Sequence, residues 1–160
     1  MKLNFASDVG DRFRIIKNDG HDPIVGTFAG LAEGAILTVA GQKFQISYVG
    51  GDGNDVVLEH VNTPPMFTNR SISVQTSRTG VAVLSGIIVE PDPLDIFTFT
   101  VDYGDGSRVE TYRLRSADLR TLRLEHQYRA PGTYIVSLTW HDQHGAGNAG
   151  TLFATVDYGD

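Results

Sequence analysis

The sequence predicts an all-β chain: an antiparallel β-sandwich, preceded by a smaller antiparallel β unit. Three observations carry this. Apolar runs are short, rich in Val, Ile, Thr, Phe and Tyr, and bounded by Gly, Asn or Asp. The 18 glycines stand at spaced punctuation points rather than in one tract, as they do where many short strands are joined by turns. Two runs also alternate cleanly. Phe97, Phe99, Val101 and Tyr103 share one face of the first, and Tyr134, Val136, Leu138 and Trp140 share one face of the second. Two strands with one apolar face each need a second sheet to cover them.

Taken in order, strands are expected at 12–17, 24–28, 35–39, 43–49 and 55–61, and then at 72–75, 81–89, 97–103, 109–115, 122–128, 133–141 and 151–157. Hairpin-type turns are expected at Asn18-Asp19-Gly20, Ala40-Gly41, Gly50-Gly51-Asp52-Gly53-Asn54 and Gly104-Asp105-Gly106. One helical turn is expected at 116–119. Asn62-Thr63-Pro64-Pro65 combines turn formers with two prolines, which cannot donate to a ladder. The expected organisation is therefore a small β unit over 1–61, a linker at 62–65, and a sandwich over 66–158.

Composition narrows the function. Of 160 residues, 41% are apolar and none is Cys, so each unit must hold by packing without a disulfide. A net charge of −6 and an isoelectric point near 5.2 argue against nucleic acid as partner. No stretch approaches the roughly 18 apolar residues of a membrane span, so membrane insertion is not expected. The N-terminal Met1-Lys2-Leu3-Asn4-Phe5 lacks the apolar region of a signal peptide, and the sequence is expected to be a piece of a longer protein. One charge anomaly stands out: 108–129 holds Arg108, Arg113, Arg115, Arg120, Arg123 and Arg129 against Glu110, Asp118 and Glu125.

Several motifs have both a physical role and a family likeness. Gly104-Asp105-Gly106 supplies the positive φ of a tight turn, with Asp105 able to cap backbone N–H groups. Pro131-Gly132 fits the centre of a type II turn, flanked by Tyr128 and Tyr134. Val101-Asp102-Tyr103-Gly104-Asp105-Gly106-Ser107, followed by His126-Gln127-Tyr128-Arg129-Ala130-Pro131-Gly132-Thr133-Tyr134, resembles the PKD (polycystic kidney disease) domain pattern. The likeness runs on into the strand ending at Asp142 and includes the acidic turn Glu90-Pro91-Asp92-Pro93-Leu94-Asp95. It covers about 63–158 and implies an Ig-like sandwich, used as a non-catalytic extracellular or cell-surface module. The segment 109–124 departs from the pattern and is expected to form its own hairpin.

Residues 10–61, with Val25-Gly26-Thr27-Phe28-Ala29-Gly30 and Gly50-Gly51-Asp52-Gly53-Asn54-Asp55, resemble the end of autotransporter-associated β-strand repeats of bacterial surface proteins. The two likenesses together imply a spacer, or a module that contacts protein, carbohydrate or its neighbouring modules. The alternatives are an accessory domain of a secreted protease or polysaccharide hydrolase, and a calcium-stiffened joint between modules.

Candidate sites weigh lightly beside these structural roles. The stretch 50–58 fits the calcium-binding nonapeptide G-G-x-G-x-D-x-U-x, with Asp52 and Asp55 as acids, but one copy offers few of the six to eight oxygens that Ca²⁺ takes. Glu90, Asp92 and Asp95 form a second acidic group, read first as solvated turn residues. His141 and His144 suggest zinc, which needs three or four ligands; His21, His60 and His126 are distant in sequence. No G-x-S-x-G elbow, P-loop or dinucleotide fingerprint is present. No catalytic, cofactor-binding or metal residue is assigned, and no cofactor is expected. The Arg-rich stretch 108–129 reads as an outer face, or as a docking surface for acidic glycans or an acidic module.

Overall fold

The computed structural model describes residues 3–74, 80–115 and 121–158. They form eleven strands and no helix; the helical turn expected at 116–119 lies outside the described residues. The chain divides into two compact units, Met1–Thr63 with Pro91–Leu94, and Pro64–Glu90 with Asp95–Asp160.

The first unit is one antiparallel sheet made of β1 (Arg12–Ile16), β2 (Ile36–Val39), β3 (Gln42–Gly50) and β4 (Asp55–Val61), in the order β1-β4-β3-β2. The Ala40-Gly41 turn joins β2 to β3 with both residues at positive φ, the twist that a two-residue hairpin needs. Alternation along β3 buries Phe44, Ile46 and Tyr48 on the face where β4 contributes Val56 and Leu58. Among the described residues of this unit there is no second sheet to cover them. Leu31, Ala35 and Ile24, from the irregular segment after β1, pack there instead.

The strand expected at 24–28 does not form, and neither does a hairpin at Asn18-Asp19-Gly20. The Tyr48 hydroxyl accepts the Phe28 N–H at 2.8 Å and donates to the Leu31 carbonyl at 2.7 Å. A side chain thus satisfies backbone groups that a ladder would otherwise have to pair.

The second unit is a sandwich. Its strands are β5 (Met66–Val74), β6 (Val81–Val89), β7 (Ile96–Asp102), β8 (Glu110–Arg115), β9 (Leu122–Gln127), β10 (Gly132–Asp142) and β11 (Gly147–Val156). One sheet has the order β11-β10-β7-β8, the other β5-β6-β9. The core between them holds Phe97, Phe99, Val101, Tyr103, Val136, Leu138 and Trp140, all on the faces that alternation assigned. Trp140 packs edge-on to Phe67, donates its ring N–H to the Pro65 carbonyl at 3.3 Å, and carries the Arg70 guanidinium 5.1 Å from its ring centroid.

Two expectations fail here for physical reasons. The hairpin expected within 109–124 is absent, because β8 pairs with β7 while β9 pairs with β6 in the opposite sheet. Tyr112 and Leu114 on β8, and Leu122 and Leu124 on β9, all have to face the core between the sheets. Strands in opposite sheets put both apolar sets there, so Arg113 and Arg115 of β8 and Arg123 of β9 lie on two outer faces rather than on one hairpin. Pro131-Gly132 is not a type II turn either. Gly132 has φ near 159°, which is extended backbone, and it opens β10 against Val156.

Gly86 of β6 marks tight packing in this core: a Cβ there would fall 2.0 Å from the Phe67 ring, itself held against Phe99 and Trp140. Gly86→Ala is therefore expected to cost about 1–3 kcal/mol through overpacking. Urea unfolding should show a lower midpoint with an unchanged slope.

Candidate functional site

Four polar constellations hold the side chains with chemical potential, and each lies within one unit. In the sandwich, the family-like motifs converge at one end. The Tyr103 ring stacks on His126 with centroids 3.8 Å apart, and Tyr128 stacks on Tyr134 at 4.3 Å. His126 Nε2 lies 2.9 Å from Asp105 Oδ2, and Asp105 Oδ1 accepts the Ser107 N–H. Asp102 accepts the Gly104 N–H at 2.9 Å. Gly104 has φ of 74°, and a Cβ there would lie 2.3 Å from the Ile135 carbonyl oxygen, so no side chain fits.

Burial pushes the Asp105 carboxyl up, but its hydrogen bonds from Ser107 and His126 outweigh this and hold it down at about 2. Burial raises Tyr103 and Tyr128 above the usual phenol range, Glu110 adding to the first and Asp105 to the second. These groups are neutral or fixed partners in a packed stack.

The second constellation is a group of three buried carboxylates, Glu90, Asp95 and Asp142, each with an oxygen within 4.8 Å of the others. Glu90 follows β6, Asp95 precedes β7, and Asp142 ends β10, so the strand ends bring them together. Asp142 Oδ1 accepts the N–H groups of His144 and Ala146, closing the β10–β11 turn. Asp95 Oδ1 accepts Gln143 Nε2 at 3.0 Å and lies 3.2 Å from His144 Nε2. Chemically this is a hard-oxygen set, suited to a divalent cation such as Ca²⁺. Sequence reading named Glu90 and Asp95 but grouped them with Asp92. Asp142 entered only as the motif's terminal Asp, and nothing local marks it as a partner 47 residues from Asp95.

Asp92 belongs instead to the first unit and to the third constellation. His60 Nε2 lies 3.0 Å from Asp92 Oδ1 and His60 Nδ1 lies 2.9 Å from Ser7 Oγ, all three residues being buried. Asp92 Oδ2 also accepts the Thr63 N–H, and the His60 ring stacks on Phe44. Ser, His and Asp are the residue types of a hydrolase triad, and sequence inspection missed the set because its members are far apart. The wiring differs from a Ser–His–Asp hydrolase, since Ser meets Nδ1 and Asp meets Nε2. The Ser7 hydroxyl also sits inside the packing, where no carbonyl could approach it.

The fourth is the 50–58 loop. Asp55 gives one oxygen to Arg14 at 3.1 Å and the other to the Asn18 N–H at 2.9 Å, while Asp52 is exposed. Burial raises the Asp55 carboxyl, but the Arg14 and Asn18 hydrogen bonds and the charges of Arg14 and Lys17 bring it below its ordinary range. Asp55 is thereby an internal partner of β1. His141 is exposed on β10, whereas His144 turns to Asp95. His21 is exposed in the loop after β1.

A family model described as PKD domain matches residues 62–157. Among solved structures, the PKD1 domain of Vibrio anguillarum Epp is 21% identical with a TM-score of 0.45, covering 60% of this chain and 96% of its own. The PKD domain of an M14-like peptidase from Thermoplasmatales archaeon SCGC AB-540-F20 is 22% identical with a TM-score of 0.47, covering 60% and 98%. The PKD domain of the human VPS10 domain-containing receptor SorCS2 is 20% identical with a TM-score of 0.42, covering 88% and 96%. No curated protein matches the chain.

The low Asp105 value fixes a pH dependence. Its carboxyl lies at about 2 in the fold against an ordinary 3.8, so its contribution is complete above pH 4 and disappears as pH falls towards 2. The contribution is at most about 2 kcal/mol. Urea unfolding between pH 6 and pH 2.5 should show this loss in the wild type, and Asp105→Asn should flatten that part of the profile.

Proposed function

Since the chain belongs to the PKD domain family, we propose that it serves as a non-catalytic interaction or spacer module of a larger extracellular protein. PKD domains are generally non-catalytic modules and typically extracellular. One observation supports the reading most directly: the side chains with acid–base chemistry in the family motifs are spent on the fold. His126 and Asp105 bind each other beneath the Tyr103 ring, and Tyr128 is buried with its hydroxyl on the Tyr103 carbonyl. These groups serve as partners of one another within the fold. What the module presents outward is strand faces and loops, which suit contact with protein or carbohydrate. The chain is expected to give no turnover of fluorogenic peptide, ester and glycoside substrates. Turnover that His126→Gln abolishes while the melting temperature holds would overturn the reading.

A second reading, calcium stiffening, is favoured by the three carboxylates at the β6, β7 and β10 ends. Carboxylate oxygens within 4.8 Å of one another are ligands of the kind a divalent cation prefers. Glu90, Asp95 and Asp142 would hold it. Added Ca²⁺ at about a hundred times Kd should then stabilise by roughly 2.7 kcal/mol, raising the melting temperature by several degrees. Asp142→Asn keeps the acceptor that closes the turn and should remove the response. Equal melting points in Ca²⁺ and in EDTA would dismiss this reading.

A further inference from the structure

The register of the sheet β11-β10-β7-β8 fixes what its outer face presents. Because Phe97, Phe99 and Val101 point into the core, Thr98, Thr100 and Asp102 point away from it. Thr98 stands between Arg113 of β8 and His141 of β10. The neighbouring row runs from Thr111 through Thr100 and Thr139 to Ala149 of β11. Asp102, Ser137 and Thr151 form the next. Beyond them lies an apolar cross-strand pair, Ile135 and Phe153, 56% and 66% exposed. Thr133 and Thr155 follow, with hydroxyls 3.4 Å apart.

This face differs from the rest of an acidic chain. Arg113 and Arg115 project from it two residues apart on the edge strand, a spacing of about 7 Å. The carboxylate among these described outward positions is Asp102, whose Oδ1 is turned to the Gly104 N–H. The whole chain nevertheless carries −6.

We infer that this outer face binds an acidic polysaccharide, a chain of sugars bearing carboxylate or sulfate groups; the inference rests on the interaction-module reading above. Three features of the face match three features of such a ligand. The guanidinium forks of Arg113 and Arg115 take a carboxylate or sulfate with two parallel hydrogen bonds. The threonine hydroxyls, which donate and accept, meet sugar hydroxyls of the same dual character. The Phe153 ring beside Ile135 offers an apolar surface for the C–H face of a sugar ring. Nucleic acid fits worse, because its affinity depends on many phosphate contacts and this face holds few cations. An acidic peptide would use the arginines and leave the hydroxyl rows without matching groups.

Binding of the full chain to polygalacturonate, to its fully methyl-esterified form and to a sulfated galactan tests this by affinity electrophoresis at low salt. The expected result is retention by the uronate or the sulfated polymer, at least about tenfold tighter than by the esterified one. R113Q/R115Q should weaken that retention about tenfold. Phe153→Ser should weaken it with the charge preference intact. All substituted positions are exposed, so melting temperatures should hold and loss of binding cannot be assigned to unfolding. Binding to none of the polymers, equal binding to the esterified form, or undiminished binding by R113Q/R115Q would overturn the inference. So would equal or tighter binding to polyglutamate or DNA. Each of these results leaves the module reading standing, since turnover decides that one.

Discussion

Tyr128 joins the two sheets of the sandwich, and every polar group it owns is engaged. Its hydroxyl donates to the Tyr103 carbonyl at 3.0 Å, its N–H to the Gly80 carbonyl at 3.0 Å, and its carbonyl accepts the Tyr158 hydroxyl at 2.6 Å. Tyr103 follows β7 and Tyr128 follows β9, so the first of these bonds ties one sheet to the other. Both residues are buried, and a polar atom left without its partner there would cost about 1–3 kcal/mol. The stacked rings of His126 and Tyr134 and the turn at Asp105 are arranged around this tie. The motif residues are therefore one packed object rather than separate features.

The same economy governs the first unit, where a single sheet has to bury one face without a second sheet. It does so with loop residues such as Ile24 and Leu31, and with polar side chains that bond inward. Ser7, His60 and Asp92 satisfy one another across the chain, and His60 lies flat on Phe44 as a further element of the core. A buried imidazole with both nitrogens engaged is compatible with close packing because neither nitrogen is left to water. Residue types alone would suggest hydrolysis; burial and the choice of nitrogen turn the same three groups into structure.

Alternation made the faces legible. Every core residue named from the runs at 97–103 and 133–141 is inward, because a period of two leaves a half-buried strand no other choice. Pairing was not legible. Strands β8 and β9 are neighbours in sequence and carry complementary patterns, yet a hairpin and a crossing between sheets predict the same alternation. The segment 24–28 looked like a strand by composition, and only the Tyr48 hydroxyl, twenty residues from Phe28, explains why it is not one. Asp142 joins Glu90 and Asp95 for a similar reason: local spacing finds carboxylates in one loop and is blind to strand ends that meet in space. Asp92, placed between them in sequence, is claimed by His60.

Alternation also separates two kinds of constraint within each strand. The inward residues of β7 and β10 answer to the core, where volume changes of one methylene are felt. Their outward neighbours, Thr98, Thr100, Ser137 and Thr139, touch no core residue through that face and are free to answer to something else. A module whose family motifs are used up by packing can thus vary its partner without disturbing its fold, since a change at Arg113 or Phe153 leaves the Tyr128 tie untouched. The fold is specified by the inward set of positions, so membership of the family fixes that set and says little about the outward one. For this chain the outward set is rich in hydroxyls, cationic at β8 and apolar at the β10–β11 pair. That composition is the part of the sequence on which a partner would act.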